Sequence, residues 1–391
     1  MARFLFVVPP LTGHTNPAVS VAHELAERGH VVAWAGEPTI VGPLLPPGAT
    51  LYSAPDQLPE GVTQIIRERG EGLRGAAAFK FLWQDFLYPL ALAMAPGVDA
   101  AVDAFEPDVV VADQQAVAGA IVSRRRGLRW ATSATTSAEL TRPFDALPKI
   151  AEWVEDLLVD LQIELGIGEA DARLGDVRFS DQLVIAFTTR ALLGPLEQLP
   201  DRCVLVGPAI AARTETTAFP WGWLDPRSQH VLVSLGTVNQ AAGGRFFAAA
   251  IEAVMDLGLQ AVVVAPPDLV GAVPDRVLVR PYVPQLALLT HCDAVVSHAG
   301  HNTTCEALAH GVPLVMAPIR DDQPIVADQV VAAGAGLRVK FGRVSAGQLG
   351  VAIGRVLGEP RFRAAATALA DSFVAAGGAA RAADHLEALA S

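Results

Sequence analysis

Short runs of apolar residues alternate with segments of helical periodicity along the whole chain. The runs are predicted strands, and they occur in both halves: Phe4–Val8, Val31–Ala35, Val109–Ala112, Trp130–Thr132, Leu183–Ala186, Val231–Leu235, Ala261–Ala265, Val277–Arg280, Ala294–Ser297, Leu314–Ala317 and Leu337–Val339. Strands that are apolar on both faces and separated by helices are typical of a parallel sheet covered by helices on both sides. The two series predict an α/β chain with two Rossmann-like, doubly wound domains.

The two strand series are separated by a stretch between Pro208 and Gln229 that is first polar and then punctuated by Pro and Gly. Such a composition is typical of a domain boundary. We expect a first domain over residues 1–212, a linker over residues 213–228, a second domain over residues 229–376 and a closing helix over residues 377–391. Ligands of open α/β sheets bind beyond the carboxyl ends of the strands, so we expect the active site where the two domains face each other across a cleft.

The composition excludes several classes of protein. The net charge is −12 and the basic residues form no stripe apart from Arg124–Arg126, so nucleic acid is not an expected partner. Cys203, Cys292 and Cys305 show no CxxC spacing, which indicates a reducing compartment without disulfides. The apolar stretch Phe86–Val98 contains two prolines and is shorter than a membrane span. We therefore expect a cytoplasmic protein with no integral membrane segment.

Residues 298–306 (HAGHNTTCE) carry the most specific chemistry in the chain. They follow a predicted strand and open a predicted helix, and such a turn directs backbone N–H groups and the positive end of the helix dipole at one point. This arrangement is a phosphate site, to which His298, Gly300, Asn302 and Thr303 would contribute donors. Glu306 can accept hydrogen bonds from ribose hydroxyls. The His and Cys spacing matches no zinc signature, so no metal site is predicted.

Together with YVPQ from Tyr282 and the later pair Asp322-Gln323, this segment resembles the donor signature of family-1 glycosyltransferases of the two-domain GT-B type. The resemblance implies that Tyr282 stacks on a nucleobase while Val283 and Gln285 pair with a pyrimidine edge. It also implies that Asp322 and Gln323 bind sugar hydroxyls. Two alternatives stay open: a Tyr282 that belongs to the core, and an Asp322 that caps the next helix.

The strand Val231–Leu235 leads into a glycine turn and supplies a second set of candidate donors. Ser234 and Thr237 can donate hydrogen bonds to a diphosphate, and Gly236 permits a close approach of the backbone to a ligand. The alternative is an ordinary turn that ends a strand.

His14 follows the first strand, in a segment where Asn16 is a candidate helix cap and Pro17 a candidate first helical residue. The predicted helix ends near Gly29. The family resemblance makes His14 the general base and Asp113, at the end of the strand Val109–Ala112, the carboxylate that orients it. The alternatives are a histidine that lines the turn and an aspartate that caps the following helix.

The resemblance implies an inverting transfer of sugar from a dTDP- or UDP-sugar to a hydroxyl of a largely apolar small molecule, with no cofactor and no metal. Trp83, Phe86 and Phe144 are candidate walls of the acceptor site, or else core residues. The sequence is most similar in character to actinobacterial enzymes that glycosylate natural products. The alternatives are a catalytically silent auxiliary protein of the same fold and a lipid-acceptor enzyme. We count a homodimer among the expected assemblies.

Overall fold

Contacts between Cα atoms divide the chain into two units. Unit 1 contains Met1–Thr188, Leu196–Arg213 and Ala376–Ser391, and unit 2 contains Thr189–Pro195 and Thr214–Ala375. Residues 189–195, which precede the expected boundary, therefore group with unit 2. The computed structural model describes residues 1–55, 73, 75–143, 147–196, 198–210, 217–236 and 243–391.

Unit 1 is built on a parallel sheet of seven strands in the order β3-β2-β1-β4-β5-β6-β7. Its strands are β1 Arg3–Val7, β2 Val31–Gly36, β3 Thr50–Ser53, β4 Val109–Asp113, β5 Trp130–Ala134, β6 Val184–Ala186 and β7 Cys203–Leu205. The predicted strands of the first half are confirmed, whereas the edge strands β3 and β7 were not predicted.

Unit 2 has a parallel sheet of six strands in the order β10-β9-β8-β11-β12-β13. Its strands are β8 His230–Ser234, β9 Gln260–Val264, β10 Val277–Arg280, β11 Ala294–Ser297, β12 Leu314–Met316 and β13 Gly336–Arg338. Every one of these strands was predicted, and the order is that of a Rossmann-like sheet.

The α-helices, in chain order, are α1 Thr12–Glu27, α2 Pro38–Val41, α3 Ala76–Lys80, α4 Tyr88–Phe105, α5 Val117–Arg126, α6 Pro148–Glu164, α7 Glu169–Ala172, α8 Arg190–Leu193, α9 Gly244–Asp256, α10 Pro267–Val270, α11 Gln285–Leu289, α12 His301–Ala309, α13 Gln323–Ala332, α14 Ala346–Gly358, α15 Pro360–Ala376 and α16 Gly378–Ala390. Short 3₁₀ helices cover Gly42–Leu44, Glu139–Thr141 and Trp221–Trp223, and a π-helix covers Phe81–Leu87.

Helices cover both faces of each sheet. In unit 1, Leu5 and Val7 of β1 pack into a core with residues of α4 and α5, whereas Phe4 and Phe6 pack on the other face with residues of α1 and α16. In unit 2, the side chains of β8 alternate in the same way: one set packs with α9 and α14, and the other packs with α12 and α13. The prediction of two doubly wound, Rossmann-like sheets is confirmed.

One helical stretch of the described residues, Ala77–Phe105, is long and apolar enough to cross a membrane by length and composition alone. Leu90, Met94 and Val98 of this stretch lie in the core of unit 1. Burial therefore accounts for part of its apolar composition, since 44% of its most apolar window is buried.

Helix α1 begins earlier than predicted. The carbonyl of Leu11 accepts hydrogen bonds from the backbone N–H groups of His14 and Thr15, at 3.0 and 3.1 Å, so the helix starts at Thr12. Asn16 is consequently not the cap, and Pro17 lies inside the helix rather than at its first position.

Helix α16 packs on α1 within unit 1. The Nη1 group of Arg28 donates to Asp384 and to Glu387, at 2.8 Å each, and Nε2 of His30 lies 2.7 Å from a carboxylate oxygen of Glu387. At the start of α16, the backbone N–H of Gly378 donates to the carbonyl of Val206. These contacts fix the end of the chain to the first unit.

Candidate active site

His14 and Asp113 lie in contact in unit 1. Nδ1 of His14 is 3.0 Å from Oδ1 and 3.1 Å from Oδ2 of Asp113, whose side chain is 0% exposed. His14 stands in the first turn of α1, and Asp113 is the last residue of β4, so both groups are held at the carboxyl edge of the sheet. Asp113 does not cap α5, whose cap position is Ala116 and which receives no side-chain cap.

A third side chain completes this arrangement. The hydroxyl of Thr135, which directly follows β5, lies 2.6 Å from Nδ1 of His14 and donates to Oδ2 of Asp113 at 2.7 Å. Sequence reasoning missed Thr135, because nothing in its local pattern distinguishes it from other polar residues that follow a strand.

Glu139, four residues after Thr135, forms an ion pair with Arg178, and the two side chains are 13% and 16% exposed. Oε2 of Glu139 accepts from Nη1 of Arg178 at 3.1 Å, and Arg178 also donates to both carboxylate oxygens of Asp176. Burial raises the pKa of Glu139 to about 7; the charge of Arg178 opposes this shift, and the charges of Asp176 and Asp113 add to it. Glu139 therefore titrates near neutral pH within the electrostatic field of the His14–Asp113 pair.

The structure corrects the predicted acceptor residues in part. Trp83 is 1% exposed and packs in the core of unit 1, with the guanidinium carbon of Arg178 5.4 Å from its ring centroid. It is therefore a core residue rather than an open wall of a binding site. Phe86 packs against the same core and keeps part of its surface exposed. Phe144 lies outside the described residues.

In unit 2, the imidazole of His298 is held between two glycines. A Cβ atom at Gly236 would lie 2.7 Å from Cε1 of His298, and one at Gly300 would lie 2.5 Å from Nε2. Both distances are shorter than any ordinary contact, so the two glycines are required for this ring position. Burial lowers the pKa of His298 to about 4, against the influence of Asp322 and of a hydrogen bond with the Ser234 backbone. The imidazole is neutral at physiological pH.

The turn between β11 and α12 is the predicted phosphate site. Ala299 adopts a φ of 67°, in the left-handed region, and its backbone N–H donates to the hydroxyl of Ser297 at 3.1 Å. Gly300 then caps α12, and Asn302 and Thr303 lie in its first turn, both half-buried. The positive end of the α12 dipole therefore lies beside His298.

Glu306 is less open than the sequence suggests. It is 1% exposed, and its two carboxylate oxygens accept hydrogen bonds from the side-chain amides of Gln285 and Asn302. The side chains of Gln285 and Asn302 are thus directed at Glu306 in this structure. A ribose hydroxyl would compete with these amides for the carboxylate oxygens.

Three further predicted donor residues, Tyr282, Val283 and Ser234, lie at or just after the ends of strands of this sheet. Tyr282 is 67% exposed, which excludes the core alternative for it, whereas Val283 packs partly against the core. Ser234 is buried at the end of β8 and accepts from the N–H of Gly236 at 3.3 Å. Thr237 lies outside the described residues.

Asp322 and Gln323 stand at the start of α13. Asp322 occupies the cap position, but its carboxylate accepts no hydrogen bond from a helical N–H. The alternative that Asp322 caps α13 through its side chain is therefore wrong. The side-chain oxygen of Gln323 accepts from the backbone N–H groups of Ile319 and Arg320, at 2.9 and 3.2 Å. These bonds fix the amide so that its NH₂ group is the part left to donate to a ligand.

Comparisons with known proteins identify the family of the chain. Residues 250–389 match the family model described as erythromycin biosynthesis protein CIII-like, C-terminal domain. The chain is 30% identical over 422 residues to the 4'-demethylrebeccamycin synthase of Lentzea aerocolonigenes, with 99% of each protein covered. It is 29% identical over 425 residues to the uncharacterized UDP-glucosyltransferase YojK of Bacillus subtilis (strain 168), covering 99% of this chain and 97% of that protein.

The fold is shared with solved glycosyltransferases. The crystal structure of the glycosyltransferase VinC in complex with dTDP superposes with a TM-score of 0.74 at 21% identity, covering 99% of each chain. The chain therefore belongs to the family-1 glycosyltransferases of GT-B fold, among their antibiotic-type members, and is a glycosyltransferase.

Proposed function

We propose that this glycosyltransferase moves a sugar, with inversion and without a metal ion, from a dTDP- or UDP-sugar to a hydroxyl of a largely apolar small molecule of bacterial secondary metabolism. The names of its relatives support this substrate class, since they refer to erythromycin biosynthesis, rebeccamycin, UDP and dTDP. The nucleotide sugar is a co-substrate, and no resident cofactor is part of the proposal.

The contact between His14 and Asp113 carries the proposal. A carboxylate accepts hydrogen bonds only, so Nδ1 of His14 bears the ring proton and Nε2 holds the lone pair of a base. Nε2 takes the proton of the acceptor hydroxyl as that oxygen bonds to the anomeric carbon of the sugar. The bond between the anomeric carbon and the diphosphate oxygen breaks, and its electron pair leaves with the diphosphate. A single displacement of this kind inverts the anomeric centre.

The donor residues of unit 2 support the absence of a metal requirement. Negative charge develops on the leaving diphosphate, and the α12 N-terminus with His298 offers fixed positive dipoles for it. Asp322 and Gln323 offer an acceptor and an amide donor for sugar hydroxyls. The free thiols Cys203, Cys292 and Cys305 are in keeping with the proposed cytoplasmic location.

Nucleotide release and product formation, measured by chromatography with EDTA present and a panel of hydroxylated aromatic and macrolide acceptors, test the proposal. His14→Ala should lower turnover by at least about 100-fold, the range of general-base catalysis, and leave dTDP and UDP affinity unchanged. His23→Ala is the matched control, since His23 is exposed on the same helix, and it should behave as wild type. Full turnover by His14→Ala would overturn the base assignment.

A further inference from the structure

Nδ1 of His14 lies closer to the hydroxyl of Thr135 than to either carboxylate oxygen of Asp113. The Oγ1–Nδ1 distance is 2.6 Å, against 3.0 and 3.1 Å from Nδ1 to the two oxygens of Asp113. Thr135 is 4% exposed and follows directly on β5, whose Ser133 pairs with Asp113 across the sheet. The hydroxyl is therefore held by the central part of the sheet.

The proton count assigns a direction to each hydrogen bond. The hydroxyl of Thr135 has one proton, and it donates this proton to Oδ2 of Asp113. It can then only accept from His14, so the Nδ1–H of His14 is shared between the hydroxyl and the carboxylate. Both partners require the same tautomer, with the proton on Nδ1.

The carboxylate of Asp113 is itself held in place by its surroundings. The backbone N–H of Gln115 donates to Oδ1 at 2.8 Å, and the hydroxyl of Thr135 donates to Oδ2 at 2.7 Å. Each oxygen thus has a donor in addition to His14. Without Thr135, Oδ2 would keep only His14 as a donor, and the buried carboxylate would be freer to turn.

We propose that Thr135 is a positioning residue of the transfer reaction, which holds the imidazole of His14 and the carboxylate of Asp113 in the geometry that the base needs. This inference rests on the proposed function. Threonine suits the task better than serine, because its β-branch restricts χ1 and so fixes the direction of the hydroxyl. The network therefore has three members rather than two.

The test compares Thr135→Val, which keeps the shape and removes the hydroxyl, with Thr135→Ser, which keeps the hydroxyl. Misplacement of the base should lower kcat of the valine variant by about 10- to 100-fold, while KM for the nucleotide sugar stays unchanged. The serine variant should recover kcat to within about threefold of wild type, since only the rotamer restraint is lost. Thr135→Ala must show the same loss of kcat as valine, which provides a second variant if valine folds poorly.

Thr132→Val is the matched control. Thr132 is a buried threonine of β5, the strand that Thr135 follows, and its hydroxyl donates to the carbonyl of Arg178 and accepts from the N–H of Ser180. Its loss should lower the free energy of unfolding and leave kcat unchanged. This control separates a hydroxyl that supports the fold from one that supports the base.

The outcomes separate the two hypotheses. A Thr135→Val enzyme with wild-type kcat, beside an inactive His14→Ala enzyme, would overturn the role of Thr135 alone. A Thr135→Ser enzyme as slow as Thr135→Val would also overturn it, because the methyl group and not the hydroxyl would then matter. Full turnover by His14→Ala would reject the proposed base and the role of Thr135 with it.

Discussion

A methyl group placed on Gly300 should displace the imidazole of His298, because the three atoms nearest to the new Cβ all belong to that ring. The new Cβ would lie 2.5 Å from Nε2, so the ring must move by about 0.9 Å to reach an ordinary contact of 3.4 Å. Gly300 has a φ of −61°, which any residue adopts, so alanine brings no backbone strain there. Gly300→Ala therefore isolates the position of His298 as the perturbed quantity.

The expected loss of nucleotide affinity follows from the hydrogen bond between His298 and the diphosphate, which the moved ring would no longer make. A hydrogen bond of about 2.9 Å that lengthens by the same amount exceeds the limit for such bonds. A bond to a charged group contributes about 1.5–3 kcal/mol. We therefore expect Kd for dTDP and UDP to rise by about 10- to 100-fold. Gly236→Ala should weaken binding similarly and also lower the free energy of unfolding by about 1–2 kcal/mol, because Gly236 has a φ of 70°.

Isothermal titration calorimetry with dTDP and UDP measures the effect. Gly347→Ala is the control, since no atom lies within 4 Å of a Cβ placed there, at the start of α14. Its Kd should equal that of wild type. In a His298→Ala background, Gly300→Ala should add no further loss. A wild-type Kd for the folded Gly300→Ala protein, or an undiminished loss in the His298→Ala background, would refute the reasoning.

Two further predictions concern unit 1. The folded-state pKa of Glu139, about 7, lies above its ordinary value, so its contribution to stability is present at low pH and lost as pH rises through 7. The free energy of unfolding of Glu139→Gln, measured in urea relative to wild type, should therefore be higher at pH 8 than at pH 5. The same difference between variant and wild type at both pH values would contradict this. Arg28→Ala removes the contacts with Asp384 and Glu387 and should lower the free energy of unfolding by about 1 kcal/mol, with dTDP affinity unchanged. Chemical denaturation measures the change in stability, and a dTDP titration measures the affinity. An unchanged unfolding midpoint would show that these contacts of α16 do not stabilise the fold.

The inner strands could be predicted because burial on both faces leaves a continuous apolar run. Val109–Asp113 and Ala294–Ser297 are buried along their whole length. The edge strand Thr50–Ser53 pairs on one side only and is half-exposed, so its sequence carries no such run. The other edge strand, Cys203–Leu205, is apolar but only three residues long, which is too short to distinguish it from an apolar loop.

The site was predictable to the extent that its chemistry is local. The strand, turn and helix around His298 are encoded in one segment, and the resemblance to a family selected His14 and Asp113. Thr135 could not be found this way, because its contacts depend on the neighbouring positions of β1, β4 and β5 in the sheet. The burial of Glu306 by neighbouring amides is likewise a product of packing between α11 and α12.

The anomeric configuration of the product tests the central claim most directly. An α-linked dTDP- or UDP-glucose is incubated with an accepted hydroxyl compound in EDTA, and the first product is analysed by proton NMR. Direct displacement with His14 as the base predicts a β-glucoside from the wild-type enzyme, formed at least about 100-fold more slowly by His14→Ala. An α-linked product, or a β-glucoside formed at the wild-type rate by His14→Ala, would contradict the account.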